Sequence, residues 1–446
     1  MSNLKVFFPN ELYEMIVQHI ANLNYRSRQD TLLALAQSFQ PLSGLAEEQL
    51  YTHPRDLDSL IKQQQFIQAI TARPARGTFA RSLRLLWDPN GANSQLLLDI
   101  IHGCPNVNFL LIQRGNDVND STPLSLHCIR SLGMILDSCR HVTSLHFSTV
   151  LKWKNLFEEE FDGPKLSQLL TDQISAQPHT TRLLGQIENL TLTGQSDWVM
   201  EGFLPYLTSN LTSLFLSQDC SLGDNASPFA TLSQQCTNLK SLEFRQTLDT
   251  SNDLEAACRA WGNTLEVLKI SSIADMREWV PQIMPFMKAL KVLHLGPGCS
   301  LSTLSVRAIA IAESPLEEIS LRDILPESGD SFDASKETNQ ALKELVDAHS
   351  SRLQLLELRC ADVGNDVLQS CKNAYQLHTL DLTVKDSPEA WEVDDLLDAC
   401  DQLDDFPSWF RKVSVRKGEW DLRMRMRNEF QNKCLDQEPL IHRLGT

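Results

Sequence analysis

The sequence predicts an elongated α/β solenoid, with parallel strands along one face and helices along the other. Three observations carry that expectation. A six-residue template, apolar-x-x-apolar-x-apolar, recurs along the chain; its central positions keep a nearly constant period; and the intervals between templates carry helical apolar stripes. One strand–turn–helix unit cannot cover its own apolar face, whereas stacked units bury a continuous core.

The most regular run spans residues 187–321. Its central residues are Leu190, Leu214, Leu242, Leu268, Leu293 and Ile319, so successive spacings are 24, 28, 26, 25 and 26. Looser copies centre on Leu83, Leu110 and Leu145 before it and on Leu356, Leu380 and Val413 after it. That makes about twelve strands across 80–420. Residues 326–340 read as an insertion between repeats. Between templates, Leu254, Ala257, Cys258 and Trp261 fall at helical spacing, as do Met276, Trp279, Val280, Ile283, Met284 and Met287.

A unit of about 26 residues resembles the leucine-rich repeat, whose period is 20–29. Cys104, Cys139 and Cys236, each three residues before a template, resemble the cysteine-containing subtype. A small, weakly polar side chain packing where a helix turns into the next strand explains them. The Asn or Cys that such repeats place after the strand is absent, with Asp219, Thr247, Ile273 and Gly298 standing there. An irregular horseshoe held more by packing than by a polar ladder is therefore expected.

Residues 1–57 do not follow the repeat and read as three short helices. The first puts Leu12, Met15, Ile16, His19 and Ile20 on one face; Ser27 and Asp30 suggest a capping box for the second, and Ser43 a cap for the third. Pro9, Glu11, Leu12, Ile16, Leu32, Leu33, Ser38 and Phe39 stand where the F-box has its Pro, Glu, Leu, Ile, Leu-Leu and small-polar–aromatic positions. The segment thus resembles a divergent F-box, with Phe8 in place of the usual Leu. Residues 58–79 look like a helical linker, and 421–446 like a C-terminal cap or tail. The order F-box, linker, repeats resembles fungal-type F-box/leucine-rich-repeat proteins.

That resemblance implies a substrate receptor of a Skp–cullin–F-box ubiquitin ligase. Pro9, Leu12, Ile16, Leu32, Leu33 and Phe39 would face the Skp-type adaptor, with the cullin ligase core beyond it. For Leu12, Ile16 and Leu33, packing inside the small helical core is an equal alternative. The target would lie on the concave strand face, where residues between the buried positions point outward. Phe215, Arg245, Lys269, His294, Arg322 and Arg359 are its candidate contacts, and the run of basic residues suggests an acidic or phosphorylated target. An interaction scaffold without ligase linkage remains the second reading. GTPase-activating leucine-rich proteins fit less well, because their repeats are longer and keep the Asn ladder.

Composition narrows the remaining classes. The 446 residues hold 40 Lys+Arg against 57 Asp+Glu, a net charge of −17 that disfavours nucleic-acid or anionic-membrane partners. No apolar run reaches the length of a membrane span, and Pro9 interrupts the N-terminal apolar run before it resembles a secretory leader. Eleven cysteines without a CxxC pair suggest reduced thiols in cytoplasm or nucleus. No phosphate-loop, dinucleotide, nucleophile-elbow or zinc-protease motif occurs, so no cofactor, metal or catalytic residue is expected.

Overall fold

The computed structural model describes residues 10–21, 25–38, 40–54, 57–88, 92–114, 126–149, 163–194, 197–217, 228–245, 251–271, 276–322, 324, 332–359, 363–384 and 412–417. The chain divides into two compact units, Met1–Leu211 and Thr212–Thr446. Among the described residues no helix is long and apolar enough to cross a membrane.

The first unit opens with helices α1 (Asn10–Ala21), α2 (Tyr25–Ser38), α3 (Gln40–Thr52), α4 (Leu60–Ala72) and α5 (Ala75–Phe79). It continues as β1 (Ser82–Trp87), α6 (Ser94–Gly103), β2 (Phe109–Arg114), α7 (Leu126–Ser138) and β3 (Ser144–Thr149). Helices α8 (Gly163–Ser175) and α9 (Pro178–Gln186), strand β4 (Asn189–Gly194) and helix α10 (Asp197–Phe203) complete it. Strands β1 to β4 pair in chain order, all parallel.

The second unit repeats the pattern. It runs β5 (Ser213–Leu216), α11 (Pro228–Gln235), β6 (Ser241–Arg245), α12 (Ser251–Trp261), β7 (Val267–Ser271), α13 (Trp279–Ile283) and β8 (Val292–Leu295). Then come α14 (Thr303–Ala310), β9 (Glu318–Arg322), α15 (Phe332–His349), β10 (Leu355–Arg359), α16 (Asn365–Lys372), β11 (Thr379–Val384) and β12 (Lys412–Lys417). Strands β5 to β12 again pair in order and in parallel. Every template seen in the sequence has become a strand, and the architecture is an α/β solenoid of the leucine-rich-repeat type.

The register explains the template. Its last two apolar positions point to the helix side and pair with their counterparts on the next strand: Leu242 with Leu268, Leu268 with Leu293, Leu293 with Ile319. All are buried, as is the template's first residue, which covers the turn into the strand. At about 1.5–3 kcal/mol for each fully buried large aliphatic side chain, these rows dominate the stability of each unit.

A backbone ladder accompanies them. The carbonyl of Arg81 accepts both Asn108 N–H and Phe109 N–H, at 2.9 and 3.1 Å. Asn108 and Thr143 do the same for the next repeats, and in the second unit Thr212, Lys240, Glu266, Lys291, Glu317 and Gln354 repeat the pattern. One carbonyl per repeat therefore holds two donors at the entry to the next strand, using both its lone pairs.

Cys104, Cys139 and Cys236 are buried where a helix ends, and burial pushes each thiol up to about 12. The N–H of Cys104 bonds Ile101 O, and the Cys139 thiol donates to Ile135 O. These are packed, protonated side chains, inert as nucleophiles.

Several local expectations are corrected. Helix α1 buries Tyr13, Val17 and Ile20; of the face through Leu12, Met15, Ile16, His19 and Ile20 only Ile20 is in the core, and Leu12, Met15 and Ile16 are exposed. Helix α2 begins at Tyr25, so Ser27 and Asp30 lie inside it. Ser43 lies within α3, where its hydroxyl donates to Ala36 O at 2.9 Å. Residues 332–340, part of the segment read as an insertion, form the first half of α15. The helix after β7 is only five residues followed by a 3-10 turn, because Pro285 lacks the N–H that would continue the ladder past Ile283, whereas Pro281 sits in the first turn, where no N–H is needed. The expected 421–446 cap lies outside the described residues.

Truncating Leu268 to Ala is expected to lower unfolding free energy by about 2–5 kcal/mol. Chemical denaturation followed by far-ultraviolet dichroism reads this. The same change at exposed Ile311 should leave the midpoint nearly unmoved.

Candidate functional site

Two surfaces present side chains that the fold itself does not use. The first is on α1 and α2. Tyr13, Val17, Ile20, Leu32, Leu42 and Ala46 form the core of the three-helix segment. With that core filled, Leu12, Met15, Ile16 and Leu33 remain 42%, 63%, 44% and 48% exposed. Leu12, Met15 and Ile16 share a face because residues three and four apart on a helix are neighbours. Leu32 was expected beside Leu33 on the adaptor-facing surface, but it is fully buried, since consecutive helical residues point about 100° apart. Pro9 and Phe39 lie outside the described residues. Met15, on the same sequence-read face as Leu12 and Ile16, was not among the expected adaptor contacts because the F-box resemblance has no matching position there.

The second surface is the strand face opposite the helices in the second unit. Register aligns Phe215, Glu243, Lys269, His294, Ser320, Glu357, Asp381 and Ser414 in one row. Two residues further on, Arg322, Arg359, Thr383 and Arg416 form part of a second row. Phe215, Arg245, Lys269, His294, Arg322 and Arg359 thus share this face.

Their surroundings differ from the basic run that the sequence suggested. Arg245 Nη2 lies 3.0 Å from Glu243 Oε1, and its guanidinium sits 5.5 Å from the Phe215 ring centroid. Arg322 and Arg359 converge on one oxygen, Glu357 Oε1, at 2.9 and 2.6 Å. The Ser320 hydroxyl donates to Glu357 Oε2 at 2.7 Å. Burial alone would raise the Glu357 pKa, but Ser320 and the two guanidiniums outweigh it and hold the carboxyl below its ordinary range. Arg245, Lys269, Arg322 and Arg359 thus stand among the carboxylates Glu243, Glu318, Glu357 and Asp381, and β12 places Lys412 and Arg416 at register positions of the same face.

His294 Nε2 lies 3.6 Å from Glu318 Oε2, which resembles an ion pair. Burial, and then Lys269, nevertheless pull the His294 pKa down against three nearby glutamates. The ring is therefore neutral beside a carboxylate, and 3.6 Å is too long for a hydrogen bond. Among the described residues no group of three or more His, Cys, Asp or Glu is placed to hold a metal ion.

No protein-family model matches the sequence, and no curated protein matches it. Among solved structures, the chain is similar to the yeast complex of Rad7 and Elc1, with 11% identity and a TM-score of 0.38 over 88% of this chain and 97% of that one. It is also similar to the leucine-rich repeat-containing protein LegL7 from Legionella pneumophila, with 15% identity and a TM-score of 0.28 over 66% of this chain and 95% of that one.

Replacing Glu357 by Gln leaves two adjacent guanidiniums without their shared anion. A loss of about 1–3 kcal/mol in urea unfolding is expected, with less loss when Arg359 is changed to Met in the same chain. The histidines add a pH effect. Burial lowers the pKa of His53, His146, His294 and His349 below 6.5. As pH falls, the unfolded chain takes up these protons first, so stability should decline between about pH 7.5 and 5.5. Urea midpoints across that range should show the slope, and His349→Gln should reduce it.

Proposed function

We propose that this chain is a non-catalytic adaptor: its N-terminal helices dock on a Skp-type adaptor of a cullin-based ubiquitin ligase, and its repeats hold the protein to be modified. The observation that carries this reading is the exposed apolar set Leu12, Met15, Ile16 and Leu33 on a helical segment whose own core is complete. Large apolar side chains grouped on exposed helix turns gain free energy when a partner covers them. Three of the four stand at positions where the F-box resemblance implies adaptor contact.

The strand face supports the other half of the reading. Phe215 with Arg245 over its ring provides an aromatic and a guanidinium side by side, the side-chain types that dominate interface energetics. The paired charges around Glu357 are held in fixed geometry, so a partner must match them or leave them desolvated and unpaired. Such a face selects shape and charge pattern. The chain then contributes proximity, while the bond-forming chemistry belongs to the conjugating enzyme.

Calorimetric titration of the full chain with a Skp-type adaptor tests the proposal. Binding should vanish in a Leu12→Asp, Leu33→Asp double variant whose thermal midpoint stays near that of the parent, because both side chains are exposed. Leu32→Asp should instead unfold the helical segment. If the intact chain shows no binding heat, the ligase reading fails and the unlinked interaction scaffold replaces it.

A further inference from the structure

The sequence draws a boundary near residue 57 between the three-helix segment and the linker, yet the backbone ladder runs across it. Arg81 N–H bonds Thr52 O at 3.0 Å, and Arg81 O in turn receives Asn108 and Phe109. Thr52, the last residue of α3, therefore supplies one entry bond to the first repeat, where Arg81 supplies two to the second. Leu57 extends the parallel pairing, forming a bridge to Leu85 on the free side of β1. A buried polar group fixes that edge: Gln63 Nε2 donates to Leu57 O at 3.0 Å and Leu86 O at 2.9 Å, while Asn93 Nδ2 donates to Leu86 O at 2.7 Å.

Side-chain contacts cross the same boundary. Glu47 on α3 is 8% exposed, and its two oxygens lie 2.5 Å from Arg73 Nη1 and 2.7 Å from Arg76 Nε. The Arg76 guanidinium also sits 5.3 Å from the Tyr51 ring centroid and donates to Ala69 O. Tyr51 in turn meets the Phe66 ring of α4 at 6.1 Å. Next to Arg76, Gly77 approaches α6 so closely that an added Cβ would stand 1.9 Å from Gly103 O. His53 and Ser82 join the two segments at 2.8 Å, and Gln29 of α2 donates to His53 O.

We infer that α1–α3 are the N-terminal cap of the repeat stack, folding as one cooperative unit with the first repeat, and that Glu47 is the positioning residue that fastens them. A solenoid end needs a cover for its last strand and core; here the cover is the segment that carries Leu12, Met15, Ile16 and Leu33. The inference stands whether or not that exposed set docks a Skp-type adaptor. Its consequence is directional: whatever binds the set is held in fixed attitude to β1, and its binding free energy stabilises the first repeat by linkage.

Native-state amide hydrogen exchange on the full chain tests this in two ways. In the parent protein, the core amides of α1–α3 and those of β1 and α6 should open with the same free energy and the same denaturant dependence. Separate, easier opening of α1–α3 overturns the inference without any variant. Second, Glu47→Gln keeps the side-chain volume but removes the charge between two arginines. It should speed exchange in α1–α3 and in β1 alike, by about tenfold or more. Asp58→Asn, which removes an exposed pair with Lys62, should leave both unchanged. Acceleration confined to α1–α3, or none in either, rejects Glu47 as the fastening residue.

Discussion

One constraint governs this molecule: the apolar positions of a short strand must face its helix, and they can be covered only if the next strand repeats them in register. A strand of four to six residues has too few backbone bonds and too little buried area to persist alone. Stacking Leu242, Leu268, Leu293 and Ile319 side by side removes each from water between two like neighbours. The shared carbonyls at Thr212, Lys240, Glu266 and Lys291 set that spacing at the strand entry, where no Asn ladder does so. Because side chains alternate along a strand, the same requirement leaves the intervening positions unconstrained by the core. In the second unit those positions carry the rows of charged and polar side chains on the strand face opposite the helices.

The repeat was legible because its signal is periodic. A leucine pattern recurring about every 26 residues survives irregular connections, and the buried cysteines at helix ends could be read from their distance to the next strand. The first helix was harder. Both of its faces are apolar, with Tyr13, Val17 and Ile20 competing against Leu12, Met15 and Ile16, so periodicity alone does not say which set meets α3. Tertiary packing chose the set containing the tyrosine. Likewise Leu32 and Leu33 are equivalent in the sequence and opposite in the fold.

The charge arrangement on the strand face was not legible either, for a geometric reason. Arg322 and Glu357 are 35 residues apart and become neighbours only through the register of β9 and β10. Seen along the sequence, Arg245, Lys269, His294 and Arg322 look like a basic stripe. Seen across the sheet, carboxylates stand among them, Glu243 paired with Arg245 and Glu357 with Arg322. Intact, such a ladder of ion pairs adds little net stability, but removing Glu357 alone leaves two guanidiniums uncompensated at a half-buried position. The apolar set on α1 and α2 is the complementary case, with little directional demand and a favourable free energy of burial.

The parallel, one-face-inward register is the claim on which all of this stands, and cross-linking measures it directly. Lys269 and His294 are register partners on adjacent strands, both on the solvent-facing side. Strands lie about 4.8 Å apart, within the span of a disulfide. Under mild oxidation, a chain carrying Lys269→Cys and His294→Cys should form that bond without losing its fold, while Lys269→Cys with Leu293→Cys should not, because Leu293 faces the helices. Bond formation in the second pair and not the first would show a register shifted by one residue, with the buried and exposed rows exchanged.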